Sequence, residues 1–129
     1  MRFMMSLPAP VEALEKWNDA PNKEVVTAMR KFNEEMTRAG VLLAAEGLHA
    51  TSKGTRIRVS GGKRIATDGP FTEAKEVIAG FWIIQAKSKE EAIEWANRCP
   101  LPEGGLIEIR RVFENGDFPP ELQKKTAGS

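Results

Sequence analysis

A chain of 129 residues is the size of one ordinary domain and buries roughly two thirds of its unfolded surface on folding, so a core needs neither a metal nor a disulfide. Apolar residues make up 41% and charged residues 29% of the chain, with 19 basic against 18 acidic side chains, which excludes a disordered polymer and provides no basic excess for nucleic acid. Cys99 is the single cysteine, no apolar run approaches the ~20 residues of a membrane span, and the apolar run near Met1 is too short for a signal peptide, so a cytoplasmic protein without membrane insertion is expected.

In chain order, Arg2 to Leu7 reads as the first strand. Pro8, Pro10 and Pro21 then predict a loop from Pro8 to Ala20, packed down by Trp17. From Pro21, suited to a first helical turn, Val25, Val26, Met29, Phe32 and Met36 recur at three- and four-residue steps until Gly40, which predicts a helix. Val41 to Ala45 is a short apolar run expected as a buried strand. Thr55 to Ser60 and Lys63 to Thr67 flank Gly61-Gly62, the pattern of a β-hairpin; a strict two-residue turn puts Ile65 opposite Arg58 rather than opposite Ile57 or Val59. A charged turn over Glu73 to Glu76 leads into an apolar strand, Val77 to Ala86. Ser88 and Glu91 make a capping box for a helix to about Arg98, with Ala92, Ile93, Ala96 and Cys99 as its inner stripe and Pro100 and Pro102 beyond it. Leu106 to Phe113 alternates Ile107 and Ile109 with Glu108 and Arg110, a strand buried on one face. One domain over residues 1–113 is expected, followed by a polar tail over 114–129.

Strand, helix, strand, hairpin, strand, helix, strand is the α+β ferredoxin-like order βαββαβ with an inserted β-hairpin. Both helices would cover one sheet face, leaving the other partly apolar, so a homodimer is expected to cover it.

Gly40-Val41-Leu42, Glu46-Gly47-Leu48, Asp68-Gly69-Pro70-Phe71-Thr72-Glu73, Lys75-Glu76, Gly80-Phe81 and Glu91-Ala92-Ile93-Glu94-Trp95 resemble the YCII-related family, specifically its DGPF-domain branch. The similarity runs from residue 2 to about 112. The resemblance implies a dimeric α/β-barrel of ferredoxin-like halves, and an active-site pair of aspartate and histidine. Asp68 matches the motif's aspartate, and His49 is the sole histidine. Ser6-Leu7-Pro8 departs from the family pattern and is expected to reshape one rim of the pocket.

Asp68 ends a strand beside a glycine turn, where a carboxylate can face a cleft, although Asp-Gly-Pro is also good turn chemistry in its own right. An imidazole titrates near neutrality, so general acid-base chemistry would recruit His49, with Asp68 fixing its tautomer. Glu46, Phe71, Glu73, Lys75 and Glu76 are the candidate ligand-binding residues, while Phe81 and Trp82 read as core or interface aromatics. Lys53, Arg56, Arg58, Lys63 and Arg64 put five positive charges, without one acid, between positions 53 and 64; an anionic ligand or partner could use them, and the alternative reading is that they solvate the hairpin and discourage edge pairing. One histidine and one cysteine cannot form the usual zinc sites and no phosphate or dinucleotide fingerprint is present, so neither metal nor cofactor is expected. Two functions stay open: a small-molecule enzyme moving a proton in the manner of an isomerase or lyase, and a non-catalytic ligand-binding or regulatory module.

Overall fold

A computed structural model describes residues 1–125. The elements are β1 (Arg2–Pro10), α1 (Val11–Asp19), α2 (Lys23–Arg38), β2 (Leu42–Gly47), β3 (Thr55–Ser60), β4 (Lys63–Asp68), β5 (Glu76–Gln85), α3 (Lys89–Ala96) and β6 (Glu108–Arg111). The fold is mixed α+β, with a four-stranded sheet in the order β2-β5-β1-β6 and a separate two-stranded sheet of β3 and β4. Every paired neighbour is antiparallel. The main sheet is open, with β2 and β6 at its edges, so the chain alone does not close into a barrel. No helix among the described residues is long and apolar enough to cross a membrane.

The core lies on one face of the main sheet. Phe3 pairs with Ile84 and Met5 with Trp82, so these four side chains share a face. They pack with Phe32 and Met36 of α2 and with Ala92, Trp95 and Ala96 of α3. Met5, Met36 and Ile84 are the largest fully buried side chains. The indole of Trp82 meets Phe32 edge-on at 5.6 Å and donates to Asn33 Oδ1 at 2.7 Å, so its polar edge is satisfied at the margin of the core.

Local chemistry explains the element ends. Asn22 caps α2 by accepting from the Val25 amide, which places Pro21 just outside the helix instead of in its first turn. At the other end Gly40 takes φ +74°, the left-handed conformation that stops a helix. Ser88 caps α3 through the Glu91 amide. On that helix Trp95, not Ile93, joins the buried stripe of Ala92, Ala96 and Cys99; Ile93 is exposed, being one position off the 92, 95, 96, 99 face.

Three further expectations change. The segment after Pro10 is a helix, α1, because Pro10 stands at its N-cap and Pro21 lies beyond its end, leaving Val11 to Asp19 free of proline. β2 is an edge strand with Leu43 exposed, rather than a buried one. Beyond β6 the chain is not a plain polar tail. Glu114 pairs with Arg2 at 2.9 Å, Asp117 with Arg111 at 2.9 Å, and Phe113 lies against Phe118 at 5.2 Å between ring centres. The last part of the expected tail, residues 126–129, lies outside the described residues.

Candidate functional site

An open cleft of about 620 Å³ is lined by Pro8 of β1, the 48–56 segment, Phe71 and the start of β5 from Glu76 to Ile78. Its polar and charged lining includes His49, Thr51, Lys53, Arg56 and Glu76, and its apolar wall includes Pro8, Leu48, Phe71, Val77 and Ile78. Pro8 reaches this position because the β1–β5 register shifts between Leu7 and Pro8, and a register shift at a sheet rim re-aims the side chains beyond it. Of the Ser6-Leu7-Pro8 segment, Pro8 lines the cleft, and Ser6 and Leu7 do not.

Two side chains of α1 hold the 49–52 segment, of which His49, Ala50 and Thr51 line the cleft. Glu15 accepts from the Ser52 amide at 3.1 Å and from the Ser52 hydroxyl at 2.9 Å. Asn18 Oδ1 accepts from the Ala50 amide at 3.0 Å, and Asn18 Nδ2 lies 3.0 Å from His49 Nδ1. The Ala50 contact fixes the amide's orientation, because a backbone N–H can only donate. The Asn18 amide nitrogen therefore faces the imidazole as a donor, Nδ1 accepts, and the ring proton resides on Nε2. The tautomer of His49 is set by Asn18, not by Asp68 as expected.

Asp68 does something else: it accepts from the Thr55 hydroxyl at 2.8 Å across the β3–β4 pair. Gly69 then passes so close to the 50–54 segment that its amide donates to Gly54 O at 2.9 Å, and a Cβ on it would sit 1.8 Å from Thr51 O. The Gly69–Pro70 peptide is cis. Phe71, buried, donates its amide to Thr51 Oγ1 at 3.2 Å and offers its ring to Arg56, whose Cζ lies 3.8 Å from the ring centre. Arg56 Nη1 also donates to Glu73 at 2.8 Å. The Glu73 carboxyl is held below the usual carboxylate range, first by its own backbone N–H and then by the Arg56 guanidinium.

Of the expected site residues, His49, Phe71 and Glu76 line the cleft. Asp68 stands one hydrogen bond behind it through Thr55, and Glu73 is linked to it through Arg56. Lys75 is exposed and outside the lining, and Glu46 stands on β2 opposite Phe81. Asn18, Glu15 and Thr51 were missed. Val11, Leu14 and Asn18 at steps of three and four were the available signal, since that spacing puts Asn18 on the inward face of a helix. Of the five basic residues between positions 53 and 64, Lys53 and Arg56 line the cleft. Among the described residues no three His, Cys, Asp or Glu side chains converge to hold a metal ion.

Comparison with known proteins agrees with the sequence resemblance. An uncharacterized protein of Rhizobium meliloti (strain 1021) is 29% identical over 107 residues, which cover 80% of this chain and 86% of that protein. The model of the YCII-related domain matches residues 1–115, nearly the whole described fold including every cleft residue, and the chain belongs to the YCII-related family.

Proposed function

We propose that the cleft beside the Asp68 loop binds a small carbonyl compound and that His49 and Glu76 move a proton on it, as in an isomerase or lyase. The observation that carries this is the double engagement of Asn18, which pins the imidazole as its Nε2–H form at the cleft. With Nδ1 occupied, the neutral ring can act only as a donor, through Nε2–H to a carbonyl oxygen, where it stabilises the negative charge that develops when an adjacent carbon loses a proton. Glu76 is the carboxylate lining the same cleft and takes that proton. Asp68 supports the site through Thr55.

Within the family, the chain falls in the DGPF branch on the strength of Asp68 to Phe71. The order β2-β5-β1-β6, with α2 and α3 in the crossovers, supports a ferredoxin-like plan. A homodimer is supported by the sheet face opposite the helices, where Met4 pairs with Ile83 and Ser6 with Phe81. The single buried thiol, Cys99, fits a reducing cytoplasm.

The test is solvent deuterium exchange into a panel of small ketones, lactones and keto acids, followed by NMR. One member should exchange faster with the protein, and His49→Gln and Glu76→Gln should each lower that rate by about 10²–10⁴. Exchange that is unchanged in both variants would eliminate the proton-transfer role. The non-catalytic alternative draws on the exposure of His49 and predicts a ligand that binds without exchange in any panel member.

A further inference from the structure

We propose that the ligand of this cleft carries a carboxylate, which Arg56 and Lys53 hold at one wall while its apolar body lies against the opposite one. The inference rests on the cleft being a ligand site, as argued above, but not on any proton transfer within it.

Arg56 is unusually constrained for a hairpin arginine. Its guanidinium lies over the Phe71 ring at 3.8 Å and is held from one end by Glu73 at 2.8 Å. Phe71 is in turn fixed by Thr51 through its amide and is 8% exposed. A planar fork clamped on a ring and tethered through Nη1 is pre-organised, and among the described residues its Nε and Nη2 have no hydrogen-bond partner. Those are the donors that match a carboxylate's two oxygens. Lys53 lines the same cleft and forms no ion pair among the described residues.

The charges are sorted by element. Lys53 and Arg56 come from the 51–56 segment, whereas Glu76, the acid in the lining, comes from the start of β5. An anionic end is drawn to the first wall and repelled from the second. Pro8, Leu48, Val77 and Ile78 then leave apolar surface for the remainder of the ligand. A neutral ligand would leave the two cations without use, and a polyanion would meet Glu76 and find no further positive group in the lining.

The experiment is an NMR titration of the intact chain with benzoate and cyclohexanecarboxylate, each compared with its own primary amide, which has the same shape and no charge. The carboxylates should move the Ala50 and Phe71 amide resonances and bind at least about tenfold more tightly than the amides, the factor expected for hydrogen bonds to a charged partner. Arg56→Lys, which keeps the charge but loses the fork, should weaken carboxylate binding about tenfold and leave the amides unchanged. Lys53→Gln, an exposed position outside the clamp, should weaken it less. Equal binding of acid and amide, absence of binding by either up to the solubility limit, or carboxylate affinity unaltered in both variants would overturn the proposal. The wild-type acid-against-amide comparison stands even if Arg56→Lys perturbs the loop. Carboxylate binding that persists while deuterium exchange ignores His49 would remove the proton-transfer role and leave this inference intact.

Discussion

Replacing Gly69 by alanine tests whether the Asp68–Phe71 loop is shaped by close backbone approach. The added Cβ would lie 1.8 Å from Thr51 O and 2.7 Å from Thr51 C, where ordinary contact begins at 3.4 Å. The obstacle is backbone on both sides, so no side chain can rotate away, and the loop must part from the 50–54 segment by roughly 1.5 Å. That displacement breaks the Gly69 N–H to Gly54 O bond of 2.9 Å and the Phe71 N–H to Thr51 Oγ1 bond of 3.2 Å. Two lost hydrogen bonds and the repacking of Phe71 amount to about 2–4 kcal/mol, confined to the loop and hairpin because the core cluster contains no residue between 48 and 75. Amide hydrogen exchange resolves the difference: protection at residues 69 and 71 should fall by roughly 30- to 1000-fold while β5 core amides change far less. Unaltered protection at both positions would refute the close approach itself, and equal loss throughout β5 would refute the separation of loop from core.

Asn18→Ala leaves the buried Ala50 amide unpaired and should destabilise the chain by about 1–3 kcal/mol in urea unfolding. Asn18→Asp keeps the acceptor for Ala50 but turns a carboxylate oxygen toward the ring, so stability should be retained while the His49 proton moves to Nδ1, as read from the imidazole ¹⁵N shifts of the neutral form. Burial pushes the Cys99 thiol up to about 11 from 9.0, so its thiolate fraction near pH 8 falls about 100-fold and disulfide-reagent labelling should slow accordingly relative to unfolded chain. The same raised value means that the thiol's contribution to stability is complete below about pH 8.5 and is lost as pH rises toward 11; Cys99→Ala should flatten that alkaline decline.

Much of the scaffold was legible because each signal was local. In α2 a face of Phe32 and Met36 ends at a glycine with positive φ. Gly61 and Gly62 both take positive φ, as a two-residue hairpin turn needs, and that turn alone fixes Arg58 opposite Ile65. α1 was hidden by its flanking prolines, which forbid helix at their own positions and say nothing about the nine residues between Pro10 and Ala20. The stripe of α3 was misread at one place because Ile93 outranks Trp95 as an expected core residue, whereas helical geometry selects by angle.

The cleft was less legible because most of the side chains that line it lie outside the sequence landmark. Asp68, Gly69 and Phe71 are the conspicuous part, yet their observed contacts are structural: Asp68 ties β4 to β3, Gly69 permits contact with Thr51, and Phe71 seats Arg56. The side chains facing the cleft are contributed by segments that are ordinary when read alone: a proline at a register shift, a histidine in a loop, an arginine on a polar hairpin, a glutamate opening a strand. A motif of this kind specifies where two backbones must meet, and that requirement constrains residue identity tightly. The groups around the resulting cleft come from positions far apart in the chain, Pro8, His49, Arg56 and Glu76, which leaves no local pattern in a single sequence. The loop is therefore the hinge of the cleft's construction: Gly69 permits the approach to Thr51, Thr51 holds the Phe71 amide, and the guanidinium of Arg56 rests on the Phe71 ring.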